Sequence, residues 1–279
     1  MSSTAAEIVR YLDDIGQLES SVTGADVDPA RLEIAGVRTD AQAGLGDLAW
    51  SRDAGAAARF RGSLLLCPGP LPAAAEIAAA EGVVVACSAP RLAMAEVLTR
   101  FFSHLSGDRE PSYAESELAA VVLAGQSWVM NAVVGARVSI APHVTVGCSG
   151  MGYERASDGR LVRFPQLGGV RIEDDVDLAA HATIQRGTLG DTVIRRGTKI
   201  GPHANVGHNV DVGEDVLVSG HAQIGGGGRI GRRAVIWQAA VIANSVTIGE
   251  GAVVGMAAAV RKDVGPGEVW AGNPARKIR

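Results

Sequence analysis

The chain reads as a mainly β protein, a parallel β-helix of hexapeptide repeats behind a small α/β domain. Two observations predict the β-helix. Twelve aliphatic residues recur at strict six-residue spacing: Ile194, Ile200, Val206, Val212, Val218, Ile224, Ile230, Ile236, Ile242, Ile248, Val254 and Val260. Small residues commonly follow them, as at Gly201, Gly207, Gly213, Gly225, Gly231, Gly249 and Gly255. Neither the 3.6-residue period of a helix nor the two-residue period of an amphipathic strand sustains such a comb. A fixed hexad repeat is instead the mark of stacked β-helix coils. Residues eighteen apart, three hexads, then lie above one another at the inter-strand distance of about 4.8 Å.

Each segment follows from this frame. Glu7 to Leu12 predicts a short helix. Arg31 to Val37, Gly62 to Cys67 and Gly82 to Cys87 predict strands, and Pro90 to Leu105 an amphipathic helix. Strands interspersed with helices make a small α/β domain over 1–110. The polar stretch from Gly107 to Glu117 marks a linker, placed at 111–121. The comb starts at Val122, Trp128, Val134, Ile140 and Val146, breaks at Gly147, and resumes at Ile172, Leu178 and Ile184. The interruption, 147–169, is too long for a corner and predicts a protruding loop or hairpin. Between Ile184 and Ile194 the gap is ten, so four extra residues form a smaller loop. The β-helix spans 122–263, and 264–279 caps its open end.

Composition bounds the function. Charged residues are 20% and hydrophobic residues 47%, enough for a folded core. The 36 glycines and 4% aromatics suit slender coils with tight corners. A net charge of −4 argues against a general nucleic-acid binder. Three cysteines, Cys67, Cys87 and Cys148, do not make a disulfide framework and fit a reducing compartment. The first residues lack the basic-then-apolar pattern of a signal peptide, and no apolar run is long enough to span a membrane. A cytoplasmic protein without a membrane partner is expected.

The columns sort the polar residues. His203 and His221 are eighteen apart, and discounting the four-residue insertion adds His181 to their column. Arg196, Glu214, Arg232 and Glu250 form a second column of alternating charge, read as stacked surface ion pairs; Arg195 and Arg233 fall outside it. Gly225 to Gly228 is not a phosphate loop, since no Lys-Ser/Thr follows. Bare backbone there admits a neighbouring subunit or a thin ligand. The pair His203 and His208 is similar to the histidines of γ-class carbonic anhydrases. Its first member is offset by one hexad position and the surrounding residues are absent, so no metal site is assigned.

Four pieces carry a closer likeness: GMGY (150–153), FPQLGGVRI (164–172), ATIQRGTLGDTVI (182–194) and GHNVDVG (207–213). They resemble UDP-3-O-acylglucosamine N-acyltransferases, with weaker similarity over 34–50, 86–98 and 253–260. The resemblance implies a left-handed β-helix, a homotrimer with sites between subunits, and acyl transfer from an acyl-carrier-protein thioester to a sugar amine. It implies a catalytic centre of His208, Asn209 and Gly226, with His208 as general base and the Gly226 N–H polarising the thioester. Trp50, Asp53, Tyr153, Gln185, His203 and His221 are the implied acceptor-binding residues. The chemistry is coherent: neutral imidazole accepts a proton near neutral pH, and a fixed N–H stabilises an oxyanion.

The chain also departs from that family. Gly201 stands where the family has an aspartate and Ser245 where it has a second histidine. The C-terminal sequence VRKDVGPGEVWAGNPARKIR is similar instead to the tail of coenzyme A-dependent hexapeptide acetyltransferases. By that likeness Gly255, Met256, Ala257, Lys262 and Arg276 are acyl-donor candidates. The expected function is N-acylation from an acyl-carrier-protein or coenzyme A thioester, used as co-substrate with no tightly bound cofactor. The acceptor is a small-molecule amine, either a sugar nucleotide or a related compound. The alternatives are a coenzyme A-dependent acetyltransferase on a non-nucleotide amine, or a metal enzyme of the carbonic-anhydrase type.

Overall fold

The structure, a computed structural model, describes residues 3–23, 27–53, 55–71, 82–107, 109, 112–113, 122–123 and 126–279. Of the expected linker 111–121, only Ser112–Tyr113 are described, as a strand, and the rest lies outside the described residues. The chain divides into two compact units, 1–107 with 152–165, and 108–151 with 166–279.

The first unit is an α/β sheet. Its strands lie in the order Leu18–Thr23, Val83–Cys87, Leu64–Cys67, Asp47–Trp50, Gly36–Val37, and all but Leu18–Thr23 run parallel. Helix α1 (Ala5–Asp14) begins with a Thr4–Glu7 capping box, which satisfies two otherwise orphaned N–H groups. Helix α2 (Ala56–Arg59) is a single turn. Helix α3 (Pro90–Phe101) starts on a proline and gives way to a 3₁₀ turn at Ser103–Ser106, so it ends earlier than the pattern predicts. The strand expected over 31–37 is two: Glu33–Ile34 pairs with Ser3–Thr4, and only Gly36–Val37 joins the main sheet. The long interruption of the comb folds as a hairpin, Tyr153–Arg155 against Leu161–Arg163. Ion pairs Arg91–Glu154 (2.8 Å) and Arg160–Glu96 (3.5 Å) hold it to α3.

The second unit is a parallel β-helix with, among the described residues, three sheets of seven, seven and nine strands. Pairing follows the comb. Lys199 lies beside Leu217, Asn205 beside Gln223 and Asp211 beside Arg229, each eighteen residues on. Where four residues are inserted the step becomes twenty-two, as in Ile184 beside Val206. Across the hairpin it becomes thirty-eight, as in Ile140 beside Leu178. The insertions therefore leave the coil register intact.

All twelve comb residues are at most 2% exposed. Between them, two residues before each comb position, a smaller buried set completes the core: Ala204, Val210, Val216, Ala222, Ala234, Ala240, Val246, Ala252 and Ala258. Small residues fit there because adjacent walls converge at the corners. Corners also require one residue in the left-handed region, as at His203 (φ 58°), Asn209 (59°), Asp215 (54°), His221 (60°) and Gly227 (72°). Asn, Asp, His and Gly are the residues that tolerate it best. The residue opening a corner faces a different constraint. A Cβ on Gly201 would stand 2.6 Å from the Gly220 nitrogen, so the coil above excludes a side chain.

The last coil is closed by Val269–Ala271 and the antiparallel Arg276–Lys277, which cover the sheet edge. Glu268 ties this cap together, accepting from the Trp270 indole (2.8 Å) and Lys277 (2.7 Å). These hydrogen bonds, from Lys277 first, pull its carboxyl down to about 2.

Because the comb residues fill a column with no slack, Ile236→Ala is expected to cost about 2–5 kcal/mol. Urea denaturation followed by circular dichroism checks this, and a loss under about 1 kcal/mol would contradict the packing described.

Candidate functional site

The corner between strands Asn205–Val206 and Asp211–Val212 carries His208 and Asn209. The corner eighteen residues later is the glycine run 225–228, a turn closed by Gly228 N–H to Gly225 C=O (3.3 Å) with Gly227 at φ 72°. Gly226 therefore lies directly over His208. A Cβ on Gly226 would stand 2.6 Å from His208 Nε2, and one on Gly150 would stand 2.7 Å from Cδ2. The imidazole fits because both neighbours lack a side chain. The Gly225 and Gly227 N–H groups go to Ile242 and His208 carbonyls. No acceptor for the Gly226 N–H is found among the described residues.

The other edge of the ring meets a polar network. Asn209 Nδ2 is 2.9 Å from His208 Nδ1 and donates to Thr188 Oγ1 at 2.7 Å. The Thr188 N–H donates to Asn209 Oδ1 at 2.7 Å, and its hydroxyl donates to Gln166 Oε1 at 3.3 Å. Gln185 Oε1 accepts from the His208 backbone N–H at 3.2 Å. Thr188 comes from the four-residue insertion, whose length, not its content, was legible in the hexad count. Under this network lies Arg186, only 1% exposed, its guanidinium on the carbonyls of Gly168 (2.7 Å) and Leu167 (3.3 Å). Arg186 and Gln166 were not singled out from sequence, because no column passes through their loops.

His203 and His221 occupy a different corner, at the other end of strand Asn205–Val206. Within one chain they do not meet His208. They belong to a stack of four rings, His143, His181, His203 and His221, with centroids 4.7, 4.6 and 4.8 Å apart. His143 joins the three expected members. All four have φ between 58° and 62°, which is why this polar, left-handed-tolerant residue recurs there. Parallel rings at this spacing do not converge on one centre. Among the described residues no group of three or more His, Cys, Asp or Glu is placed to hold a metal ion. Desolvation, then the neighbouring His203 and His143, hold His181 below its ordinary pKa.

Gly201 opens that same ladder corner and has no room for a side chain. Ser245, at φ 60°, stands above Gly227 and Asn209 in one column. The donor candidates divide between two corners. Lys262 shares the column of His208, Gly226 and Asn244, three coils above the histidine, whereas Met256 and Ala257 continue the ladder corner. Lys262, Met256, Ala257 and Arg276 are exposed. Gly255 donates its N–H to Trp270 (2.7 Å) and Arg276 sits on the terminal strand.

In the first unit, Trp50 lines a cavity of about 370 Å³ at the carboxyl ends of the parallel strands, with Ser51, Arg52, Pro90, Arg91 and Glu154. Arg52 lies 5.7 Å over the Trp50 ring and Phe164 packs beside it at 6.3 Å. Asp53 does not line this cavity. It pairs with Arg59 (2.9 Å) and accepts from Gly55 N–H (2.8 Å), which together lower its pKa. Tyr153 is exposed on the hairpin. Of the expected charge column only Arg232 and Glu250 pair within it, at 3.9 Å; Arg196 pairs instead with Asp174, and Arg233, outside the column, with Glu250. Arg195 forms a two-pronged pair with Asp211 at 2.9 Å. Cys67 and Cys87 are free and buried, and burial pushes their thiols up to about 11 and about 12. No helix among the described residues is long and apolar enough to cross a membrane.

No protein-family model matches the chain. The UDP-3-O-acylglucosamine N-acyltransferase of Methylorubrum populi is 34% identical over 149 residues, 53% of this chain and 42% of the relative. That of Methylobacterium nodulans is 34% identical over 151 residues, 54% and 43%. The matches thus span less than half the length of these curated relatives. A solved UDP-N-acetylglucosamine acyltransferase is 13% identical, over 89% of this chain and 72% of its own, with a TM-score of 0.48. The sequence resemblance to UDP-3-O-acylglucosamine N-acyltransferases is borne out.

Two predictions follow from the packing around these residues. Arg186→Met removes the buried donor on the Gly168 and Leu167 carbonyls, which Arg109 also reaches at 3.2 Å, and is expected to cost about 1.5–3 kcal/mol in denaturant unfolding; a neutral effect would remove Arg186 as the loop's anchor. For the ladder, a depressed folded pKa means the unfolded chain takes the proton first as pH falls. Stability is therefore lost from about pH 6.5 downward through the lower folded value. His181→Asn, tolerant of the same backbone, is expected to flatten the fall in Tm between about pH 7 and about pH 5. An unchanged slope would assign that fall to other groups.

Proposed function

We propose that the chain is an N-acyltransferase, moving an acyl group from a thioester to the amine of a sugar nucleotide or related compound. The observation that carries this reading is the His208 ring seated against Gly226, whose N–H has no acceptor among the described residues. An amine attacking a thioester carbonyl produces an oxyanion and a surplus proton. A preorganised N–H stabilises the first and an imidazole handles the second. The tetrahedral adduct then collapses, the C–S bond breaks, and the thiol leaves with the proton the amine has lost. No enzyme nucleophile is required. The 34% identity to named N-acyltransferases supports the same chemistry.

The donor is proposed to be an acyl-carrier-protein or coenzyme A thioester lying along the column from Lys262 to His208. Three inter-coil steps make that path roughly 14 Å. The first unit's cavity, with Trp50 on its wall, is proposed to receive the acceptor's base. The chain is proposed to act as a cytoplasmic homotrimer, in which a second copy brings its ladder corner, with His203 and His221, to the His208 corner. A second reading, coenzyme A-dependent acetylation of a non-nucleotide amine, is favoured by the exposed basic Lys262 and Arg276 near the closing coil.

Purified protein is to be offered acyl-carrier-protein and coenzyme A thioesters with UDP-3-O-acylglucosamine and with free amino sugars, and the products weighed by mass spectrometry. An amide product is expected, with His208→Ala lowering turnover by about 10²–10⁴-fold at unchanged fold. No transfer from either donor, or near-normal turnover in the variant, would overturn the reading.

A further inference from the structure

We propose that Asn209 and Thr188 act as a tautomer lock, holding neutral His208 with its proton on Nε2, toward Gly226. The inference deepens the acid–base role proposed for His208 and rests on that reading for its catalytic meaning, though not for its geometry.

The argument starts from the Asn209 amide, whose oxygen and nitrogen are nearly equal in shape. Thr188 tells them apart. Its backbone N–H only donates, and it stands 2.7 Å from Asn209 Oδ1, so the oxygen must face it. The amide nitrogen is thereby turned toward Thr188 Oγ1 at 2.7 Å and His208 Nδ1 at 2.9 Å. Reversing the amide would set its NH₂ against the Thr188 N–H, donor against donor. The residue cannot drift, because its backbone N–H is held by Thr192 Oγ1 at 2.9 Å and its φ is 59°.

An amide NH₂ has no acceptor to offer. Nδ1 must therefore present its lone pair, and a neutral imidazole then carries its one proton on Nε2. The Thr188 hydroxyl does not reverse this. Its hydrogen goes to Gln166 Oε1, so its oxygen could only accept from an Nδ1–H, but at 3.5 Å that contact is weak beside the 2.9 Å one, and the oxygen already accepts from Asn209 Nδ2 at 2.7 Å. Packing between Gly150 and Gly226 keeps the ring in place.

The consequence concerns the order of proton movements. In the resting site Nε2 is a donor facing the Gly226 corner, suited to a developing oxyanion. A base at Nε2 appears only after one proton leaves Nε2 and one is taken up at Nδ1 through water, with no net gain or loss. That exchange breaks the Asn209 hydrogen bond. Asn209 is thus a positioning residue that holds back the base form. A carboxylate at 209 would keep the Thr188 N–H bond, accept from Nδ1–H, and favour the base form instead.

The test is ring ¹⁵N spectroscopy of the full chain labelled at histidine, above the histidine titration range, with His208 assigned by comparison with His208→Gln. Wild type is expected to show Nε2 protonated and Nδ1 bare. Asn209→Asp is expected to reverse the pattern, raise the His208 pKa by about 1–2 units, and move the acid limb of the rate profile upward with it. Asn209→Gly, which keeps the left-handed backbone, is expected to show both tautomers. A protonated Nδ1 in wild type, or a pattern unchanged in Asn209→Asp, overturns the lock. Because the spectra need no substrate, absence of acyl transfer with the expected spectra would instead overturn the acyltransferase reading alone.

Discussion

Backbone hydrogen bonds between coils eighteen residues apart are the constraint on which the second unit depends. Each short strand satisfies its N–H and C=O groups on the strands above and below, so no side chain has to do so. The aliphatic comb fills the space the three sheets enclose, and the corners absorb the change of direction. Insertions of four and of twenty residues leave the ladder unbroken, because they emerge at corners, where the strand pairing is already interrupted.

The same stacking explains the candidate site. Adjacent corners lie one strand spacing apart, and the His208 ring sits where a Cβ at 226 would stand. An imidazole at 208 therefore demands a bare backbone at 226, and that bare backbone exposes an N–H beside the ring. The polar network on the other edge has a different origin. It is built from the 187–190 insertion and the segment entering at Gln166, both pinned by the buried Arg186. Scaffold and chemistry are thus separable: the coil sets where His208 sits, and the loops set what its Nδ1 meets.

The histidine ladder shows how a backbone preference can imitate a metal-binding motif. Four imidazoles stack because four successive corners need a left-handed residue and the coil repeat aligns them. Their rings run parallel and do not converge. The column of alternating charge pairs mostly with neighbours outside it, Arg196 with Asp174 and Glu250 with Arg233.

Much of this was legible in the residues alone. The comb determined the coils, their register, the buried faces and the pairing of His208 with Gly226, because a repeat with fixed pitch turns sequence distance into spatial distance. It also located the loops by the residues left over. Only the tertiary structure decided that His143 completes the ladder, that Asp53 is spent on Arg59, and that Arg186 is buried. It alone turned the Asn209 amide. Those outcomes depend on contacts between segments outside the repeat, such as Gln166, Thr188 and Asn209, where no period converts number into position.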